Sequence, residues 1–126
     1  MVRTLLLIAI GGSAGSVCRY LSQQFLQDHY PSSIPIGTLF VNISGCFIVG
    51  MVYSLSGKGN IISPELRIFL VTGFCGGFTT YSSFAYENVR MVLDGEFYYA
   101  SIYILVSVVI GFGAVYAGIL FIKLIS

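Results

Sequence analysis

Gly73-Phe74-Cys75-Gly76-Gly77-Phe78-Thr79-Thr80-Tyr81-Ser82-Ser83-Phe84 lies inside a segment long enough to cross a bilayer. Three glycines and four threonine or serine hydroxyls nevertheless crowd its middle. Backbone that leaves a helix at membrane depth persists only where protein buries it or where it lines a polar path. The stretch therefore predicts a broken membrane helix at an ion or substrate site, as in the discontinuous helices of transporters.

Outward from that stretch, the composition has the same meaning. The chain has 126 residues, of which 56% are hydrophobic and 9% charged. Soluble domains carry about 25% charged residues, so the chain reads as an all-α integral membrane protein. Four spans of about 20 residues each leave only short loops, so residues 1–126 read as a single four-helix transmembrane domain. A net charge of +1 provides no basic patch of the kind nucleic acid requires. Cys18, Cys46 and Cys75 fall in different predicted spans without CxxC spacing, and His29 is the sole histidine. That excludes a zinc site and predicts buried free thiols.

Helix 1 is predicted from about Arg3 to Leu26, as a first membrane helix rather than a cleaved leader. Asp28, His29, Tyr30 and residues 31–35 form the next turn. Helix 2 is predicted from Gly37 to Leu55, ended by Ser56-Gly57-Lys58-Gly59-Asn60. Ser63-Pro64-Glu65 supplies a capping serine, a proline in the first helical position and an acid in the first turn. Helix 3 runs from Glu65 to about Leu93 with its interruption near residues 75–80, and helix 4 covers Phe97 to Ile125. Tyr30, Tyr98 and Tyr99 stand where an interfacial aromatic belt belongs. Gly11/Gly15, Gly113/Ala117 and Ala114/Gly118 are small-residue pairs suited to close helix packing. Four thin helices enclose little interior, which favours a homo-oligomer with a pathway between subunits. An even number of spans puts Arg3, Lys58, Arg67 and Lys123 on one side and Arg90, with Arg19 if it snorkels outward, on the other, a mild bias toward cytoplasmic termini.

Polar residues inside the spans mark candidate functional positions. Thr38 and Asn42 share one face of helix 2, and an amide at that depth serves either as interhelical glue or as a donor to a passing anion. Beyond the break, Tyr81 and Phe84 lie three residues apart, with Thr80, Ser83 and Glu87 on an adjacent stripe. Aromatic rings have a positive edge, so rings met edge-on stabilise an anion without a formal charge. Tyr103, Ser107 and Gly111 line one face of helix 4. Glu87 and Arg19 are the ionisable residues nearest the bilayer interior, a default mark of function. Carbonyls exposed at Gly76, Gly77 and Thr79 would suit a hard cation such as Na⁺, and the lack of an acid beside them argues against Ca²⁺ or Mg²⁺.

Taken together, these residues resemble the Fluc (CrcB) family of bacterial fluoride channels, over essentially the whole chain. The resemblance rests on Gly11-Gly12-Ser13-Ala14-Gly15 with Arg19-Tyr20, on Gly37-Thr38-Leu39-Phe40-Val41-Asn42, and above all on the Gly73–Phe84 stretch. It implies a non-enzymatic, multi-pass protein of the bacterial inner membrane, built as a dual-topology antiparallel homodimer with two fluoride pores in membrane lipid. It further implies a central structural Na⁺ held by the Gly76 and Thr79 carbonyls of both subunits. Asn42 matches the pore asparagine, and Tyr81 and Phe84 match the ring-edge pair. Ser82, Ser83, Thr38, Tyr103, Ser107 and Glu87 match polar-track or vestibule positions, with Arg19 in a structural or vestibule role. Three departures stand out: Tyr81 replaces the usual Phe, Gly111 stands where the family often has a hydroxyl, and the basic residues are less balanced between the two sides than dual topology would suggest.

The function so implied is passive, fluoride-selective export that protects the cell from cytoplasmic fluoride. The alternative is a proton-coupled exporter resembling small multidrug-resistance proteins. Those depend on a carboxylate in the first membrane helix, whereas residues 1–27 contain no acid and the chain has no Trp. A non-transporting accessory subunit is a third reading, under which Asn42 would be freely replaceable.

Overall fold

A computed structural model describes residues 1–59 and 61–126; Asn60, the last residue of the turn expected after helix 2, lies outside the described residues. Four helical segments are long and apolar enough to cross a membrane, the third running Pro64–Leu93. The first two are α1 (Val2–His29) and α2 (Ile36–Ser56). The third span is composite: α3 (Pro64–Arg67), a π-helical stretch (Ile68–Cys75), α4 (Gly76–Phe78), two extended residues, and α5 (Tyr81–Leu93). The fourth span is α6 (Phe97–Ile125). At about 1.5 Å per residue even α2 spans the roughly 30 Å of a hydrocarbon core.

The helix ends follow local chemistry. Ser63 caps α3, its hydroxyl accepting from the Leu66 N–H at 3.1 Å, with Pro64 in the first turn and Glu65 beside it. Glu65 also pairs with Arg3 at 2.7 Å, and Lys58 Nζ donates to Ser126 Oγ at 2.5 Å. Both termini and the connection between spans 2 and 3 therefore share one end of the bundle, as an even number of spans requires. The Arg90–Asp94 pair, at 3.8 Å, lies after the next crossing. Helix 1 continues three residues beyond its predicted end. His29 Nδ1 bonds the Phe25 carbonyl at 2.9 Å and its ring stacks on Phe25, which carries the helix up to the turn before Pro31.

Two glycine-lined seams hold the bundle. In the first, α1 lies against the π stretch and α4. A Cβ at Gly11 would stand 2.6 Å from the Phe69 carbonyl oxygen, and one at Gly15 would run into the Phe74 carbonyl. In the second, α2 lies against α6, where a side chain at Gly50 would strike the Val115 carbonyl and one at Gly118 the Phe47 carbonyl. Without a hydrophobic drive between helices in lipid, such backbone-to-backbone approach is the main source of association. Of the predicted pairs on helix 4, Ala114 and Gly118 are buried in this seam. Gly113 and Ala117 face outward instead, with nothing within 4 Å of a Cβ at Gly113. The cysteines also divide. Cys75 is buried, Cys46 partly so, and Cys18 exposed, because the packed face of α1 is the one carrying Gly11 and Gly15.

Candidate functional site

The predicted interruption is a two-residue break. Thr79 and Thr80 are extended, at φ −85°, ψ 159° and φ −149°, ψ 112°. Leaving the helix there strips nearby peptide groups of their partners, and buried peptide groups without partners are costly. Side chains from other spans answer part of that demand. Asn42 on α2 meets Thr80 as a second backbone would: its Oδ1 accepts from the Thr80 N–H at 2.7 Å and its Nδ2 donates to the Thr80 carbonyl at 3.1 Å. Arg19 Nε on α1 donates to the Gly77 carbonyl at 3.0 Å. The Cys75 carbonyl accepts from both the Thr79 N–H and its hydroxyl, at 2.9 and 2.8 Å. Thr80 Oγ1 then caps α5 by accepting from the Ser83 N–H at 3.1 Å, and the Thr79 methyl fills the space that the missing side chain of Gly45 leaves.

With the Thr80 N–H taken by Asn42, the Gly76 carbonyl loses its usual helical donor, and the Thr79 carbonyl has no backbone partner among the described residues. Carbonyl oxygens released at a helix break suit a hard monovalent cation. No cluster of three acid, His or Cys side chains that could hold a metal is found among the described residues, so any cation here would rest on neutral oxygens.

One turn and more beyond the break, a second constellation forms around Glu87 on α5. Thr38 Oγ1 donates to Glu87 Oε2 at 2.7 Å, and Tyr103 OH donates to Oε1 at 2.8 Å. Thr38 is 2% exposed and Tyr103 fully buried. Burying a charge demands such partners, and here two hydroxyls from two other spans supply them. The Phe84 ring meets Tyr103 edge-on, centroids 5.0 Å apart, and Tyr81 tilts against Phe84 at 6.2 Å. Tyr81 is 80% exposed on the single chain and Ser82 is exposed beside it, its Oγ 3.4 Å from Thr80 Oγ1. Ser107, one turn beyond Tyr103 on α6, has a buried hydroxyl with no hydrogen-bond partner among the described residues. Gly111, a further turn on, is buried.

The structure thus joins Thr38, Glu87, Tyr103 and Phe84 in one cluster and Asn42 with the break in another, while Tyr81 and Ser82 stand on the outer surface. Sequence reasoning passed over Gln23, whose Nε2 donates to Thr38 Oγ1 at 3.0 Å. An amide one turn beyond Arg19, in a span otherwise bound for lipid, was the available signal.

Residues 6–119 match the family model described as CrcB-like protein, Camphor Resistance (CrcB). The chain belongs to this CrcB-like family. A fluoride-specific ion channel FluC from Chlorobium phaeobacteroides (strain DSM 266) is 45% identical over 123 residues, 98% of this chain and 95% of that one. Proteins of the same name from Gloeothece citriformis and Leptospira interrogans are each 43% identical, over 94% and 96% of this chain and 96% and 95% of their own lengths. The CrcB-like family is the one the motifs resemble, and its members named here are channels rather than enzymes. With four spans and bacterial relatives of this kind, the chain is a multi-pass protein of the bacterial membrane.

Proposed function

We propose that this CrcB-like protein is a fluoride-selective channel that lets fluoride leave the cell passively. The observation that carries the reading is Ser107, a buried hydroxyl that bonds no group among the described residues. It lies one turn from Tyr103 on α6, whose ring meets that of Phe84. A hydroxyl of that kind can donate to a halide without the tight hold of a lysine. Fluoride gives up its water reluctantly, so substitute donors must follow one another along the path. Ser107, the second N–H of Asn42, and the edges of Tyr81 and Phe84 supply them in uncharged form. Each is strong enough to admit the ion and weak enough to release it.

The exposed position of Tyr81 supports a homodimer, since a ring edge on the outer surface lines a closed path only when a second copy faces it. Antiparallel packing of two copies is our reading of that arrangement. The Gly76 and Thr79 carbonyls would hold a structural Na⁺ at the centre of such a dimer; Gly76 is exposed on the single chain, in keeping with a shared ion. When bound, the ion would supply a fixed positive charge beside the break.

Fluoride efflux from liposomes carrying the purified protein tests the proposal. Rapid fluoride release with chloride retained is expected, and Ser107→Ala should slow it about tenfold, as expected for the loss of one hydrogen bond to a charged partner. Equal chloride and fluoride fluxes would contradict the selectivity.

A further inference from the structure

Gln23 has no part in the donor sequence just described, yet it occupies a defined place in the bundle. It lies on α1 midway between Arg19 and Gln27, so three polar groups run along one stripe, four residues apart. Arg19 serves the break through the Gly77 carbonyl. Gln27 lines a cavity shared with Glu87 and the connection between spans 1 and 2. Gln23 sits at a close crossing of α1 and α2, since a Cβ at Gly37 would stand 2.9 Å from the Gln23 Cα. That close crossing sets which group its side chain can reach.

The direction of its hydrogen bond has a consequence. The Gln23 Nε2 group can only donate, and it donates to Thr38 Oγ1. The single proton of the Thr38 hydroxyl is then left to point at Glu87 Oε2. Tyr103 OH closes the other carboxylate oxygen. Every donation in the chain Gln23–Thr38–Glu87–Tyr103 converges on the carboxylate. A carboxylate and a halide are both acceptors and compete for the same donors. Glu87 deprived of the Thr38 proton would draw on hydroxyls that a permeating anion needs.

We infer that Gln23 is a positioning residue for anion passage: by donating to Thr38 it commits the Thr38 proton to Glu87 and keeps the carboxylate from competing for the pore donors. The inference rests on the channel reading, because flux is its first readout. Gln23→Met keeps the side-chain length and removes the donor. Gln23→Glu keeps the shape and substitutes an acceptor, which pulls the Thr38 proton away from Glu87.

The test measures fluoride efflux and thermal melting for Gln23→Met in three backgrounds, with Thr, Ser or Val at position 38. About a tenfold loss of efflux and a lower melting temperature are expected with Thr or Ser, where the hydroxyl persists. Little further change is expected with Val, where no proton remains to direct. Gln23→Glu should exceed Gln23→Met with Thr or Ser, and it carries the test should the Met variant fail to fold. Equal losses in all three backgrounds would mean that Gln23 only packs, and no loss with Thr would mean that it directs nothing; either overturns the inference. A wild-type chain that passes no fluoride would defeat the channel reading instead, and the melting series would still decide whether Gln23 acts through Thr38.

Discussion

The break at Thr79–Thr80 and the cluster around Glu87 answer two different costs of placing polarity in a membrane. At the break the costly groups are peptide units, and Asn42 meets Thr80 with one acceptor and one donor, as a neighbouring strand would. At Glu87 the costly group is a carboxylate, and two hydroxyls from α2 and α6 meet it, with Gln23 behind one of them. The break leaves carbonyl oxygens free and so presents partial negative charge, whereas the cluster consumes its negative charge internally. On the channel reading proposed above, the first arrangement suits a cation and the second clears the way for an anion, within one turn or two of the same span.

Removing the staple should have the largest effect. Asn42→Leu leaves a buried N–H and a buried carbonyl unpaired, at about 1–3 kcal/mol each. Fluoride efflux should fall to background and the melting temperature should drop sharply. Normal flux in Asn42→Leu would show that the break holds without it and would favour an accessory role for the chain.

Thr38→Val takes one of two hydroxyls from Glu87 while keeping the volume. A loss of about 1–3 kcal/mol in stability is expected, with efflux reduced about tenfold but not abolished. A matching loss in Tyr103→Phe would show that the two oxygens are equivalent; unequal losses would assign the weight to one wall of the cluster.

Cation exchange separates the two regions without mutation. Replacing Na⁺ by a large organic cation on both membrane faces should lower efflux several-fold if the free carbonyls hold an ion. It should leave the Thr38→Val effect unchanged, because Glu87 already has its partners within the chain. Insensitivity of flux to Na⁺ would remove the cation from the account of the break.

The smallest effect is expected from Gly113→Ala, whose new methyl meets nothing within 4 Å in the single chain. Melting and flux should stay near wild type. A marked loss of dimer in cross-linking would reveal that this outward stripe faces the second copy rather than lipid.

Much of this was legible in the chain itself. The apolar runs, the Ser63-Pro64-Glu65 start and the glycine and hydroxyl crowding near residue 76 announced four spans and a broken third. Gly11/Gly15 and Ala114/Gly118 were legible as seams, but Gly113/Ala117 carries the same spacing and faces outward. Small residues permit close approach without saying which helix will come. Cys18 likewise reads as apolar whichever way α1 turns.

The spans and the depth of the break were written locally, because hydropathy, capping and glycine content act between residues a few positions apart. Only the tertiary structure decided that Asn42 serves Thr80, Arg19 the Gly77 carbonyl and Thr38 the Glu87 carboxylate, pairs separated by 38, 58 and 49 residues. The physical reason is that a polar group in lipid must find a partner, while the identity of that partner is fixed by which helices the glycine seams bring together.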